Sequence, residues 1–261
     1  MTPFEQFFDG HLIYINLARR TDRRASFEGE MKHLGITHYE RFDAIDAGRG
    51  WGNNGCCASH RAVLDMIVQR GWRRCFVFED DCVVREQFRD NFHGNVEAPL
   101  RELPRDWDII YLGGGYADDP QEWYSPNLIR INGMKTTSSY GVTAKSAREI
   151  RDCIPEVCSD GIDNIFSGYT PGHLSFICEP RLFIQYSNYS DLQLAVLNNG
   201  MSMEDTAHVK RLGNIGRKGA AIARAVVEPK PWPKPPAPEP VIPEKKEAVS
   251  SLPRWDGNVR K

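Results

Sequence analysis

CFVFEDD, residues 75–81, decides the fold: a compact apolar run passes without a spacer into three carboxylates. Phe76, Val77 and Phe78 can bury as a strand. Glu79, Asp80 and Asp81 cannot be buried unpaired, so the strand must deliver them to a solvent-filled edge or to a cation. Open α/β sheets place ligands at such an edge. On an extended chain Glu79 and Asp81 fall on one side, and two carboxylates converging from one side suit a hard divalent ion such as Mn²⁺ or Mg²⁺. A polar loop after a strand would tolerate the same acids without any ion.

Toward the N-terminus, His11 to Leu17 is rich in β-branched and aromatic residues. Polar Ala18 to Arg24 and an amphipathic segment around Phe27 to Leu34 follow, which predicts strand, loop and helix. Tyr39 to Ala44 predicts a second strand, and four glycines between Gly48 and Gly55 predict a mobile loop. Ser59 is placed to cap a helix running to about Gln69. Toward the C-terminus, strands are expected at Trp107 to Leu112, Ile129 to Asn132, Ser139 to Thr143 and Leu182 to Tyr186. Helices are expected from Ser146 to Cys153 and from Ile162 to Phe166. Alternation of strands and helices predicts an α/β domain with a mostly parallel central sheet covered on both faces. The domain is expected over residues 1–197, with a helical or irregular extension over 198–228. Residues 229–261 should form a flexible tail, because eight prolines from Pro229 to Pro243 favour extended polyproline II.

The chain has 261 residues, with 33 lysines and arginines against 35 acids and a net charge of −2. That charge gives no field to hold a polyanion, so a nucleic-acid partner is disfavoured although a local basic groove stays open. No apolar run reaches the roughly 20 residues that a membrane-spanning helix needs, and Met1 to Gly10 lacks a basic start before an apolar stretch. A cytoplasmic protein is expected. Seven cysteines without a CxxC pair read as reduced thiols.

Arg19, Arg20, Arg23 and Arg24 crowd the end of the first strand beside Asn16 and Asp22. Guanidinium forks suit phosphate oxygens, although arginines at a helix start equally make a solvated face. Cys56, Cys57, Ser59 and His60 enter the next helix, where free backbone N–H groups and the hydroxyl of Ser59 could meet a ligand.

Four runs in order carry a resemblance: YINLARRTDRR (Tyr14 to Arg24), GCCASH (Gly55 to His60), FEDD (Phe78 to Asp81) and WDIIYLG (Trp107 to Gly113). Together they resemble glycosyltransferase family 25, which includes lipooligosaccharide and collagen galactosyltransferases. The resemblance continues through Ser139 to Ile150, IDNIF with Asp163, and LFIQYSNYSD ending at Asp191. It implies a GT-A-like (Rossmann-like) fold, a UDP-sugar donor, a manganese-dependent inverting hexosyl transfer, and a saccharide or other hydroxyl acceptor. By position, Glu79 would face ribose or metal, Asp81 would hold the ion, and Asp80 would lie between them on the donor side. Asn16, Arg19, Arg23, Ser59 and His60 would border the donor. Asp163 would be the base that deprotonates the acceptor, with Asp108 second, unless Asp163 merely caps its helix. Cys82 stands where the family commonly has valine or isoleucine, and the chain lacks the long acceptor-side segments of the animal members. Two other readings are a catalytically silent nucleotide-sugar or partner-binding module, and the same chemistry on a modified nucleic-acid base or a protein.

Overall fold

The computed structural model describes residues 1–48, 52–114, 122–158, 161–185, 188–190 and 195–197. The expected extension and proline-rich tail, Asp191, and the end of the strand expected to reach Tyr186 lie outside these residues.

The strands are β1 Leu12–Asn16, β2 Glu40–Asp43, β3 Arg74–Glu79, β4 Cys82–Val84, β5 Ile109–Tyr111, β6 Glu122–Ser125, β7 Leu128–Arg130, β8 Ser139–Thr143, β9 Ser175–Cys178, β10 Phe183–Gln185, β11 Asn188–Ser190 and β12 Ala195–Leu197. The helices are α1 Pro3–Phe7, α2 Thr21–His33, α3 Gly52–Gln69, α4 Phe92–Glu102, α5 Ala144–Cys153 and α6 Ile162–Tyr169. Eight strands form one sheet in the order β2-β1-β3-β8-β5-β9-β7-β6.

The sheet is mixed, which corrects the expectation of a mostly parallel one. β2, β1 and β3 run parallel, and so do β5 and β9, but β8 lies antiparallel between β3 and β5, and β7 antiparallel on β9. Antiparallel neighbours can be joined by a two-residue hairpin, whereas parallel ones need a long crossover. Only two residues separate β6 from β7, so β7 turns back on β6, and β8 runs in the same direction as β7, opposite to β3, β5 and β9.

Side chains alternate across β3 as the pleat requires. Phe76 and Phe78 join Phe4, Phe8, Phe27, Phe92 and Phe183 on one face, under α1, α2 and α4. Cys75 and Val77 join Val63, Ile67, Ile150 and Phe166 on the other, under α3, α5 and α6. The strand is therefore buried on both faces, and its carboxylates emerge only past its C-terminal end.

Several local expectations shift. α3 begins at Gly52 rather than Ser59, so the expected glycine loop shrinks and Ser59 sits mid-helix. α5 is capped by Thr143, whose hydroxyl accepts from the Ser146 N–H at 3.3 Å, so Ser146 belongs to the first turn. Cys57 and Cys158 are disulfide-bonded across 101 residues, which corrects the expectation of seven reduced thiols. That separation leaves no local spacing signal, because α3 and the segment before α6 meet only in the folded chain.

The chain after β5 crosses the approach to β10 very closely. Phe183 N–H donates to the Leu112 carbonyl at 3.0 Å, and a β-carbon on Gly113 would stand 2.2 Å from the Phe183 carbonyl oxygen. Gly113→Ala must push backbone against backbone and should cost about 1–3 kcal/mol or more. Urea unfolding measures this, and a loss under 0.5 kcal/mol, roughly that of an ordinary surface change, would contradict the crossing.

Candidate functional site

β1 and β3 run parallel with Ile15 opposite Glu79. The next residue on each strand therefore reaches the same edge, and Asn16 Nδ2 donates to Asp80 Oδ2 at 2.7 Å. The chain turns from β1 directly into α2, whose first turn carries Arg23. Its guanidinium bridges two acids, with Nη1 2.8 Å from Asp80 Oδ1 and Nη2 3.1 Å from Asp81 Oδ2. Arg41 completes the row by donating to Asn16 Oδ1 at 3.1 Å.

The third acid is held from the other side. Glu79 Oε1 accepts from the Thr137 hydroxyl at 2.7 Å, and Glu79 Oε2 and Asp81 Oδ1 accept from one Gln185 Nε2 at 3.0 and 3.2 Å. Gln185 gets there because β10 pairs antiparallel with β4, setting it opposite Cys82. Glu79 and Asp81 thus converge on one point, the place an oxygen-seeking ion would take. Turning the Gln185 amide would present its carbonyl oxygen there, so the residues fit a hard divalent ion.

The electrostatics show how far the charges are met. Burial pushes the Asp81 carboxyl up to about 7 against the pull of Arg23, and the Glu79 and Asp80 charges add to the rise. Burial likewise raises Asp80, opposed by Arg23 and Asn16. Glu79 is also penalised by burial, yet the His60 and Thr137 contacts and Arg23 bring it below its ordinary value. Three carboxylates thus share one guanidinium, and the cluster retains a demand for positive charge.

The other expected residues divide. His60 is 1% exposed, stacked near Tyr140, and its Nε2 lies 3.4 Å from Glu79 Oε1. Arg19 pairs with Asp46 at the exposed rim. Ser59 does not face the edge: its hydroxyl donates to the Gly55 carbonyl at 2.7 Å and accepts from the Ile45 N–H at 2.8 Å, pinning the loop after β2 to α3. Asp163 is in the first turn of α6, with Gly161 as the capping residue, and accepts from the Asn164 N–H at 3.1 Å. Burial raises its carboxyl, and the Glu79 charge adds to the rise.

Asp108 is a correction. It precedes β5, which runs parallel to β3, so it lies at the opposite edge of the sheet from Glu79. There it accepts from Lys145 Nζ at 2.9 Å and from the Leu174 N–H at 2.9 Å. Thr137, Gln185 and Tyr140 went unmarked in the sequence, and Cys56 was noted only as part of the segment entering α3. Only Cys56 left a signal, one helical turn before His60 on the same face.

Residues 50–111 match the family model described as glycosyltransferase family 25 (LPS biosynthesis protein). A rat relative named "Probable inactive glycosyltransferase 25 family member 3" is 27% identical, over 57% of this chain and 30% of its own length. A human relative named "Inactive glycosyltransferase 25 family member 3" is 26% identical, over 57% of this chain and 29% of its own. Among solved structures, a glycosyltransferase involved in the glycosylation of the major capsid of PBCV-1 is 10% identical at a TM-score of 0.45, covering 70% of this chain and 95% of that one. The chain spans about 30% of the length of the curated relatives it matches. Among the described residues no helix is long and apolar enough to cross a membrane.

Proposed function

We infer that this chain, whose residues 50–111 match the glycosyltransferase family 25 model, is a catalytically silent module of GT-A type that binds a nucleotide-sugar at the edge built by Asn16, Arg23, Glu79, Asp80 and Asp81. The observation that carries the reading is Arg23 seated on both Asp80 and Asp81. The chain's own cation occupies the Asp80–Asp81 side of the acid run, leaving a polar edge that holds a charged ligand without being organised around its chemistry. The reading corrects the expectation of an active UDP-sugar-dependent inverting hexosyltransferase. The finding that overturns it is the naming of the human and mouse relatives as "Inactive" and of the rat and cattle relatives as "Probable inactive" glycosyltransferase 25 family member 3.

Glu79 and Asp81 would hold a divalent ion, Mn²⁺ or Mg²⁺, which when bound offsets the negative charge of a nucleoside diphosphate. Asn16 and Arg41 fix the position of Asp80, and Gln185 keeps the two ligating carboxylates turned toward one another. Arg19 at the rim would meet the phosphates as a guanidinium fork.

The test sets binding against turnover. Calorimetric titration of the full chain with UDP-sugars and Mn²⁺ should show saturable binding, whereas single-turnover mixtures with saccharide acceptors should release UDP no faster than enzyme-free controls. Sugar transfer well above that background would sink the silent reading, and failure of every nucleotide-sugar to bind would sink the nucleotide one.

A further inference from the structure

We infer that Cys56, His60 and Glu79 form a separate cation site, taking a thiophilic divalent ion of the zinc class through the Cys56 sulfur, His60 Nε2 and Glu79 Oε1. One ligand atom from each of the three side chains lies within 4.8 Å of the others. A tetrahedral zinc with bonds of about 2.0–2.3 Å sets its ligand atoms about 3.3–3.8 Å apart. The 3.4 Å between His60 Nε2 and Glu79 Oε1 already meets that spacing, and a small rotation of Cys56 would close the rest. Cys56 and His60 are four residues apart on α3, which puts both on one helical face, toward the end of β3.

The second observation is the state of His60. The residue is 1% exposed, and its Nε2 makes no well-formed hydrogen bond: the Glu79 carboxylate oxygen at 3.4 Å is the polar atom it faces. A cation seated between the two would take the Nε2 lone pair and the Glu79 oxygen together, with the ring proton carried on Nδ1. Its other nitrogen, Nδ1, is 2.9 Å from the Tyr140 hydroxyl. An outer partner on the far ring nitrogen is what fixes the tautomer and orientation of a metal-bound imidazole.

The donor set separates this site from the hard-ion position. Glu79 Oε1 faces His60 and Thr137, while Oε2 faces Gln185 and Asp81. Sulfur, nitrogen and one carboxylate oxygen select a softer ion than paired carboxylates and an amide do. Burial first, then the charges of Glu79, Asp163 and Asp81, keep the Cys56 sulfur protonated while no ion is bound. Coordination therefore forms the metal–sulfur bond and releases the thiol proton to solvent, a displacement the ion's charge drives. Three protein ligands leave the fourth position to a water molecule.

The proposal stands apart from the nucleotide reading, and its test keeps the two distinct. The full chain carrying Cys153→Ser, to remove an exposed competing thiol, is titrated with Zn²⁺ and separately with Co²⁺. We expect one site per chain and a thiolate-to-cobalt charge-transfer band. Cys56→Ser should weaken zinc by at least about 100-fold and abolish the band, and Tyr140→Phe should weaken zinc by about 10–100-fold. Asp81→Asn should leave zinc affinity within about threefold, and Cys56→Ser should leave Mn²⁺-dependent nucleotide binding unchanged. Should Cys56→Ser fail to fold, alkylation of Cys56 in the parent decides, slowed at least tenfold by Zn²⁺ and untouched by Mg²⁺. Zinc affinity indifferent to Cys56→Ser, a cobalt complex without the band, or alkylation unaffected by Zn²⁺ would each overturn the site.

Discussion

Arg23→Met is expected to lower stability by about 3–5 kcal/mol at pH 8 and by clearly less at pH 5. The guanidinium is the nearest positive charge to two carboxylates whose side chains are 7% and 11% exposed. Removing one partner of a buried pair leaves uncompensated charge in a poorly solvated place, and it is that residue, not the lost attraction, that makes the cost large. The pH dependence follows from the same fact. Asp81 is already pushed up to about 7 with Arg23 in place, so without it the carboxyl takes a proton more readily still. At pH 5 the variant buries a neutral acid, whereas at pH 8 it must either hold an anion without its counter-charge or bind a proton against the solvent pH, and both cost stability. Urea unfolding at the two pH values reads the difference directly. An equal loss below 1 kcal/mol at both would show a solvated pair of the ordinary surface kind. Arg19→Ala is the internal control: its partner Asp46 and Arg19 itself are about half exposed, and its cost should stay within that surface range.

The contrast between Arg19 and Arg23 also marks how far the sequence can be read. Both arginines lie in one polar run after β1, and composition alone leaves them equivalent. What separates them is the helical phase of α2, which turns Arg23 inward over the end of β3 and leaves Arg19 in the preceding turn. The apolar strands were legible because burial on two faces demands continuous apolar runs, as at Phe76 to Phe78 and Ile109 to Leu112. Their direction was not. Nothing in Ser139 to Thr143 states that it runs antiparallel between two parallel neighbours, since a strand's own pattern is the same either way.

α4 was not read at all. Pro99 lies inside it, although the apolar positions Phe92, Val96 and Leu100 keep a helical period across the proline. Ser59 misled because a good capping residue is also a tolerable mid-helix residue when its hydroxyl bonds back to the carbonyl one turn earlier. At the site, the acids were legible from their incompatibility with burial, and Asn16 from its position at a strand end. Gln185 and Thr137 were not, because each reaches Glu79 across more than 50 residues by strand pairing or loop packing that no local pattern encodes.

Asp81→Asn should produce two effects of opposite sign. Its carboxyl has a folded-state value raised well above the ordinary carboxylate range, first by burial. A group raised on folding contributes stability that is fully present at pH values below its unfolded value, near 4, and lost as pH rises through about 7. The parent chain should therefore lose stability between pH 5 and pH 8 on account of this residue. A rise of about three units corresponds to at most about 4 kcal/mol, at 1.36 kcal/mol per unit, and the shared charges of Glu79 and Asp80 will reduce it. Asparagine carries no such charge, so the variant should be about 2–4 kcal/mol more stable than the parent at pH 8 and nearly equal to it at pH 4. The same substitution deletes an anionic oxygen from the point where Glu79 and Asp81 converge, so the thermal stabilisation by Mn²⁺ with UDP expected of the parent should vanish. The two readouts come from one pair of melting series, with and without ligand, across pH. A variant less stable than the parent at pH 8 would mean that Arg23 and Gln185 meet the Asp81 charge in full. Undiminished Mn²⁺-linked stabilisation would move the ion away from Asp81.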